Sequence, residues 1–356
     1  MSVILKAPFR HSVLVGCLAL ACACGQTLTV TEPSELTLRA AASTSPGTKV
    51  DPELAGASLG TDNTYVILAS ASAAEEPEFM REQLFTYYSE TAKWQASAAS
   101  GPGLGGSYTH DPKFWPLGGV KVDFLALALK PAAYDALNAS PGRISFYRPS
   151  DGGVAAGVSV VEWDTYADQY DVMYAVNNEQ SGSNNPGGTM PLEFQHTMAV
   201  VGFTAKSASE AGVFTLKGVS LRELQFKGSL VIDNTTTELD VNWIVPPGDA
   251  CQNDKEVPLI VSEFSVPESS ATAAAAKCTD HLLVIPQPSR TVKLTYHVKN
   301  SIPDLTYDLP LPRTVWKAGH RYIYDLVFTP TEIRVSDVNV TTWDGTPVDD
   351  TAIISN

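Results

Sequence analysis

Histidine, cysteine and positive charge are all in short supply in this chain. It has six histidines and five cysteines in 356 residues, and 24 Lys and Arg stand against 39 Asp and Glu, a net charge of -15. A surface that acidic repels phosphate backbones, which argues against a nucleic-acid partner. The histidines are scattered and spell no His-Glu-x-x-His string, and the paired carboxylates Asp349-Asp350 stand in the last few residues. No catalytic group, cofactor-binding set or metal-ligand set is identified, and the chain reads as a non-enzyme. Gly101-Pro102-Gly103-Leu104-Gly105-Gly106 spells a dinucleotide fingerprint. It lacks the strand-turn-helix setting that the fingerprint needs, and Pro102 interrupts it. The apolar run Val13–Ala21 is too short to span a bilayer as a mature helix.

What is present is β-type alternation. Tyr322, Tyr324, Leu326 and Phe328 fall on every second position with Arg321 and Asp325 between them, the period-two signature of a strand with one buried face. Pro330 removes a ladder donor and marks a turn, after which Ile333 and Val335 restart the pattern. The apolar phase then slips to Val338 and Val340, which predicts a bulge near Ser336-Asp337. The segment reads as the closing hairpin of a β-sandwich. Short strands are also expected at Tyr65–Leu68, Leu84–Tyr88, Val120–Leu129 and Gln169–Ala175. In the second half they are expected at Leu192–Phe203, Val213–Leu221, Leu224–Asp233, Leu239–Val245, Leu282–Ile285 and Val292–Val298. Val122, Phe124 and Ala126 share one face. Only Ala132–Asn138 looks helical.

At about 100 to 200 residues per domain the length suits two cores. The Gly, Asn and Ser-rich stretch Asn177–Gly188 is the expected boundary, dividing residues 40–188 from 189–356. Leu192, Phe194, His196 and Met198 alternate, so His196 points inward. With no second ligand at metal spacing nearby, it reads as a hydrogen-bonded core histidine. Trp94, Trp163 and Trp243 are candidates for a sugar platform on a surface lipoprotein, or else core and loop residues.

The N-terminus is an export signal: Lys6 and Arg10 precede the apolar run, which ends Ala21-Cys22-Ala23-Cys24-Gly25. That ending resembles a lipobox, with Cys24 the first candidate for lipidation and Cys22 the second. Residues 1–24 are then the lipoprotein signal. Cys251 and Cys278 are an even pair in an exported chain and a disulfide candidate. In Gln26–Arg39, Leu28, Val30, Leu36 and Leu38 share even parity, so one strand register spans the segment. Arg39 meets the soft stretch Ala40-Ala41-Ala42-Ser43-Thr44. It either ends an edge strand or offers a site to a trypsin-like protease, and spacing alone favours the first.

Six strings occur in the order seen in fimbrillins: Phe114-Trp115-Pro116, Val122-Asp123-Phe124-Leu125-Ala126, Gln169-Tyr170-Asp171-Val172-Met173, Leu192-Glu193-Phe194-Gln195-His196, Leu283-Val284-Ile285-Pro286-Gln287 and Trp316–Tyr324. The chain resembles the fimbrillin family of Bacteroidales pilin lipoproteins from the lipobox to Trp343. The resemblance implies an all-β fold of two tandem antiparallel β-sandwich domains of transthyretin-like architecture. It implies export as an outer-membrane lipoprotein, then cleavage between Arg39 and Ala40 that removes a propeptide strand, residues 25–39. It further implies polymerisation with other pilin subunits in a cell-surface fimbrium by strand exchange. A C-terminal tail with Val348, Ala352 and Ile354 in one row is the candidate donor, and a host or bacterial receptor is an expected partner.

Overall fold

A computed structural model describes residues 33–42, 65–73, 79–99, 108–139, 142–147, 157–165, 169–208, 213–235, 238–245, 256–259, 263–268, 276–277, 279, 281–343 and 348. The fold is all-β, with one short α-helix among the described residues. In chain order the first half gives β1 (Thr37–Ala42), β2 (Val66–Ala73), β3 (Met80–Tyr88), β4 (Lys93–Ala99), β5 (Tyr108–His110), β6 (Val122–Leu129), α1 (Pro131–Asn138), β7 (Ile144–Tyr147), β8 (Gly157–Asp164) and β9 (Met173–Gln180). Next come β10 (Thr189–His196), β11 (Ala199–Ser207), β12 (Phe214–Arg222), β13 (Lys227–Asp233), β14 (Asp240–Ile244), β15 (Glu256–Leu259), β16 (Phe264–Ser265) and β17 (Ala276–Lys277). The chain closes with β18 (Leu282–Val284), β19 (Gln287–Pro288), β20 (Thr291–Val298), β21 (Leu305–Pro310), β22 (Val315–Trp316), β23 (His320–Phe328) and β24 (Ile333–Thr342).

The first sheet runs β1-β10-β9-β6-β2-β3-β4-β5, and β1 also pairs with β4. The sheet therefore bends back on itself. Seven strands make a ring, and β5 hangs on the edge of β4. β2 and β6 are central and buried on both faces, which is why their sequences run almost continuously apolar. Inside the ring, Ala69, Ala71, Ala73, Ala126 and Ala175 leave room for Phe85, Trp94, Trp115, Phe124 and Phe194. Val122, Phe124 and Ala126 all face this core, as their alternation predicts.

The outer face of the ring carries Val66, Leu68, Leu125, Leu127 and Leu129, which join α1 and the sheet β14-β13-β8-β7 in a second core. A third core lies between the sheet β17-β11-β23-β24 and the sheet β15-β12-β20-β21. Tyr322, Tyr324, Leu326 and Phe328 enter it with no exposed surface. The predicted bulge is present. Asp325 pairs with Asp337 but Leu326 with Val335, so Ser336 is the extra residue, and its hydroxyl donates to the Asp325 carbonyl at 3.2 Å.

The expected boundary at residue 188 does not coincide with a break in pairing. Residues 181–188 connect β9 to β10 within the first sheet, with the register Gln195–Tyr174 and His196–Met173. β13 and β14, from the second half, pair with β8 and β7 of the first. The connection is polar because its side chains bond one another. Asn185 Nδ2 donates to Gln180 Oε1 at 3.1 Å and to the Ser181 carbonyl at 3.0 Å. All described residues fall within the single unit Pro33–Asn356.

Candidate functional site

One strand, β1, seals the ring by pairing with both β10 and β4. β1 lies parallel to β10 from Thr37–Thr189 to Ala42–Phe194, and antiparallel to β4 at Thr37–Gln95 and Leu38–Trp94. Just before it, Glu35 bridges Phe114, the Leu36 amide donates to the Lys113 carbonyl at 2.7 Å, and the Trp115 amide donates to the Ser34 carbonyl at 3.1 Å. Leu36, Leu38 and Ala40 point into the ring core at 0%, 0% and 1% exposure, as even parity requires. Burial of the two leucines contributes about 3 to 6 kcal/mol.

Polar groups fix the register on the other face. Glu35 Oε1 stands 2.5 Å from His110 Nε2 and accepts from Gln95 Nε2 at 3.1 Å. The hydroxyls of Thr37 and Thr189 are 2.8 Å apart. Gly188, at φ 78°, lies so close beneath that a Cβ there would come 1.9 Å from the Glu35 carbonyl oxygen. Trp115 Nε1 donates to the Gly188 carbonyl at 2.9 Å and holds that floor in place. The seat thus accepts a backbone at one depth, with two inward apolar side chains and one outward carboxylate.

Arg39 is exposed, but it sits inside β1 rather than at its end, because Ala40–Ala42 continue the strand that composition alone reads as a soft stretch. Pairing to β4 stops at Leu38, and the residue opposite Arg39 on β10 is Pro191, which has no N–H to donate. The Arg39–Ala40 peptide bond therefore lies within an extended strand, with Arg39 exposed and Ala40 buried.

A second polar cluster lies where β10 passes into β11. His196 is buried, as its alternation predicts. Its Nδ1 is 2.5 Å from Asp171 Oδ2, and its ring stacks on Trp343 at 3.8 Å between centroids. Burial pushes the Asp171 carboxyl above the ordinary carboxylate range, with His196 opposing that shift. Trp243 Nε1 donates to the Thr197 carbonyl at 2.8 Å. His196 borders a cavity of ≈ 260 Å³ with Tyr174, Gln195, Gly319 and His320. Among the described residues no three His, Cys, Asp or Glu side chains gather as a metal site.

The sugar platform is not formed. Trp94 is 2% exposed inside the ring, Trp163 is 1% exposed in the second core, and the half-buried Trp243 packs against that second core. Val348 rests against the third core, and its amide donates to the Val340 carbonyl at 3.2 Å. Ala352, Ile354, Asp349-Asp350, Cys22, Cys24, Cys251, Cys278 and Gly101–Gly106 lie outside the described residues, as does the Gly-x-Ser-x-Gly string Gly56–Gly60. The Glu35–His110–Gln95 contact and the role of Gly188 have no sequence signature, since 75 residues separate Glu35 from His110.

The family model described as fimbrillin-like matches residues 60–343. Among solved structures, a fimbrial protein from Bacteroides vulgatus is similar at 16% identity, with 87% of this chain and 99% of that chain covered and a TM-score of 0.55. A proposed cell adhesion protein from Bacteroides ovatus is similar at 13% identity, covering 90% of this chain and 100% of that one at a TM-score of 0.50. At these identities the likeness concerns the fold alone. No curated protein sequence matches.

Proposed function

Because the chain belongs to the fimbrillin-like family, we propose that it is a structural or adhesive subunit of a cell-surface fimbrium that polymerises by strand exchange at the β1 seat. In this reading the sheets form two sandwich modules, and the precursor is exported as an outer-membrane lipoprotein lipidated at Cys24, with Cys22 the alternative. Cleavage between Arg39 and Ala40 then frees the segment ending in Leu36-Thr37-Leu38-Arg39, while Ala40–Ala42 stay on β10. The ring loses the first half of its sealing strand. β10 and β4 are left with unpaired edges above two apolar pockets, and such an edge templates any extended segment of matching alternation. The tail of another pilin subunit supplies that segment, and in this chain the candidate tail places Val348, Ala352 and Ile354 in one row. Seat and tail are different surfaces of one subunit, so the contact propagates and does not close.

The observation that carries this reading is that β1 has no hairpin partner. The contacts that hold its first half, at Gln95, His110, Lys113, Gly188 and Thr189, all lie far along the chain, so release of the segment up to Arg39 interrupts no other connection. Expression of wild-type and Arg39→Ala chains in a host that makes the fimbrium tests it. Wild type is expected to give high-mass ladders on unboiled gels, and Arg39→Ala is expected to give monomer only. Ladders of equal strength from Arg39→Ala would sink the processing step.

A further inference from the structure

We propose that the β1 seat selects its incoming strand by charge as well as by apolar spacing. The determinant is a carboxylate one position before the first of two alternating apolar residues, read by His110 and Gln95. This rests on the strand-exchange reading and goes beyond it by naming the chemistry of the partner segment. The present occupant spells the requirement: Glu35 outward, Leu36 inward, Thr37 outward, Leu38 inward. When that occupant leaves, three donors and acceptors lose their partners together. His110 Nε2 and Gln95 Nε2 lose Glu35 Oε1, and Thr189 Oγ1 loses the Thr37 hydroxyl.

His110 is partly exposed, but its ring is held in place beside the seat. Its ring packs edge-on against Tyr88 at 5.8 Å, and its strand is paired to β4 at Ser97. Gln95 is only 8% exposed; the Thr91 hydroxyl donates to its Oε1 at 3.2 Å, but its Nε2 has only the longer 3.4 Å contact to His110 Nε2 besides Glu35, so a strand that brings an acceptor is favoured. Gly188 fixes the depth at which that strand lies, and therefore which of its residues stands opposite His110. A segment that fills both apolar pockets but offers a methyl or a cation at the Glu35 position brings no acceptor to Gln95 Nε2 and His110 Nε2, the two groups that Glu35 Oε1 now joins.

The rule discriminates against the chain's own tail. In Thr346–Asn356 the inward pair Ala352 and Ile354 is preceded by Thr351, and the two acids Asp349 and Asp350 precede no such apolar pair. A different subunit, whose donor segment carries an acid in that place, is the better occupant.

The test uses the full-length chain nicked after Arg39 with an arginine-specific protease and titrated with fluorescent synthetic peptides. The peptides are Leu28–Arg39, its Glu35→Ala and Glu35→Lys forms, the tail Thr346–Asn356, and the tail with Thr351→Glu. Glu35→Ala is expected to bind about threefold more weakly, the scale of a net hydrogen bond, and Glu35→Lys, which puts a donor where an acceptor is needed, about tenfold more weakly. Thr351→Glu is expected to tighten the tail. In a His110→Ala chain the unsubstituted Leu28–Arg39 peptide and its Glu35→Ala form are expected to bind alike. Equal affinity of all three Leu28–Arg39 forms, or an equal loss for every peptide in the His110→Ala chain, overturns charge selection and leaves strand exchange standing. Failure of every peptide to enter the nicked chain overturns strand exchange itself.

Discussion

Among the described strands the chain forms two parallel ladders, and they are held in opposite ways. β23 lies along β11 over eight register pairs and turns directly into β24, whose nine pairs with it give the hairpin a local partner. β1 lies along β10 over six pairs, with two more to β4, and has no neighbour near in sequence. The ladder of β23 with β11 joins residues 121 apart, but its hairpin with β24 is local and anchors it. β1 is held entirely by distant contacts, whose loop entropy must be met before they stabilise anything. One strand is anchored by its neighbour in sequence; the other is anchored only from afar.

Tyr324→Ala probes the fixed side and carries the largest expected effect. Its hydroxyl accepts from Trp316 Nε1 at 2.8 Å, and burial pushes its phenol pKa up. Loss of about 3 to 5 kcal/mol is expected, as for other large aromatic truncations, seen as a drop in the urea midpoint of the whole protein. Leu38→Ala, on the removable side, removes about 2 to 5 kcal/mol. Here the loss is expected mainly as faster amide exchange in β1, β4 and β10, with β23 still protected. Equal exchange of both ladders in Leu38→Ala would erase the distinction.

Gly188→Ala sharpens it. A methyl 1.9 Å from the Glu35 carbonyl, at φ 78°, is expected to cost on the order of 1 to 3 kcal/mol and to loosen β1 without entering the core. The smallest effect is expected at the junction of the two ladders, in Asp171→Asn. Burial raises the Asp171 pKa, so the folded state holds that proton more tightly than the unfolded chain. Its contribution is complete below the ordinary value of 3.8 and is lost as pH rises through the raised value. Melting temperature should therefore fall more steeply across that window in wild type than in Asp171→Asn, and parallel profiles would refute the assignment.

The same contrast governs what the sequence discloses. The β23–β24 hairpin, its bulge at Ser336, the helix α1 and the inward His196 are legible because each is written in one contiguous stretch of sequence. The β1 seat is legible in parity alone. Leu36 and Leu38 announce a buried face, yet nothing in them names β10, β4 or His110 as partners. The connection 181–188 misleads for a related reason. Gly, Asn and Ser suit a loose linker and a self-bonded hairpin equally, and only the bonds of Asn185 distinguish them. Composition likewise could not say that Trp94 and Trp163 are interior and Trp243 half-buried.

The sheet β14-β13-β8-β7 draws two strands from each side of that hairpin. Chain halves sewn together in this way cannot melt one after the other. Scission at residue 188 would strand β7 and β8 in one fragment and β13 and β14 in the other, each with a bare apolar face. Heating the intact protein is expected to yield a single calorimetric peak, with β1 free to peel away beforehand.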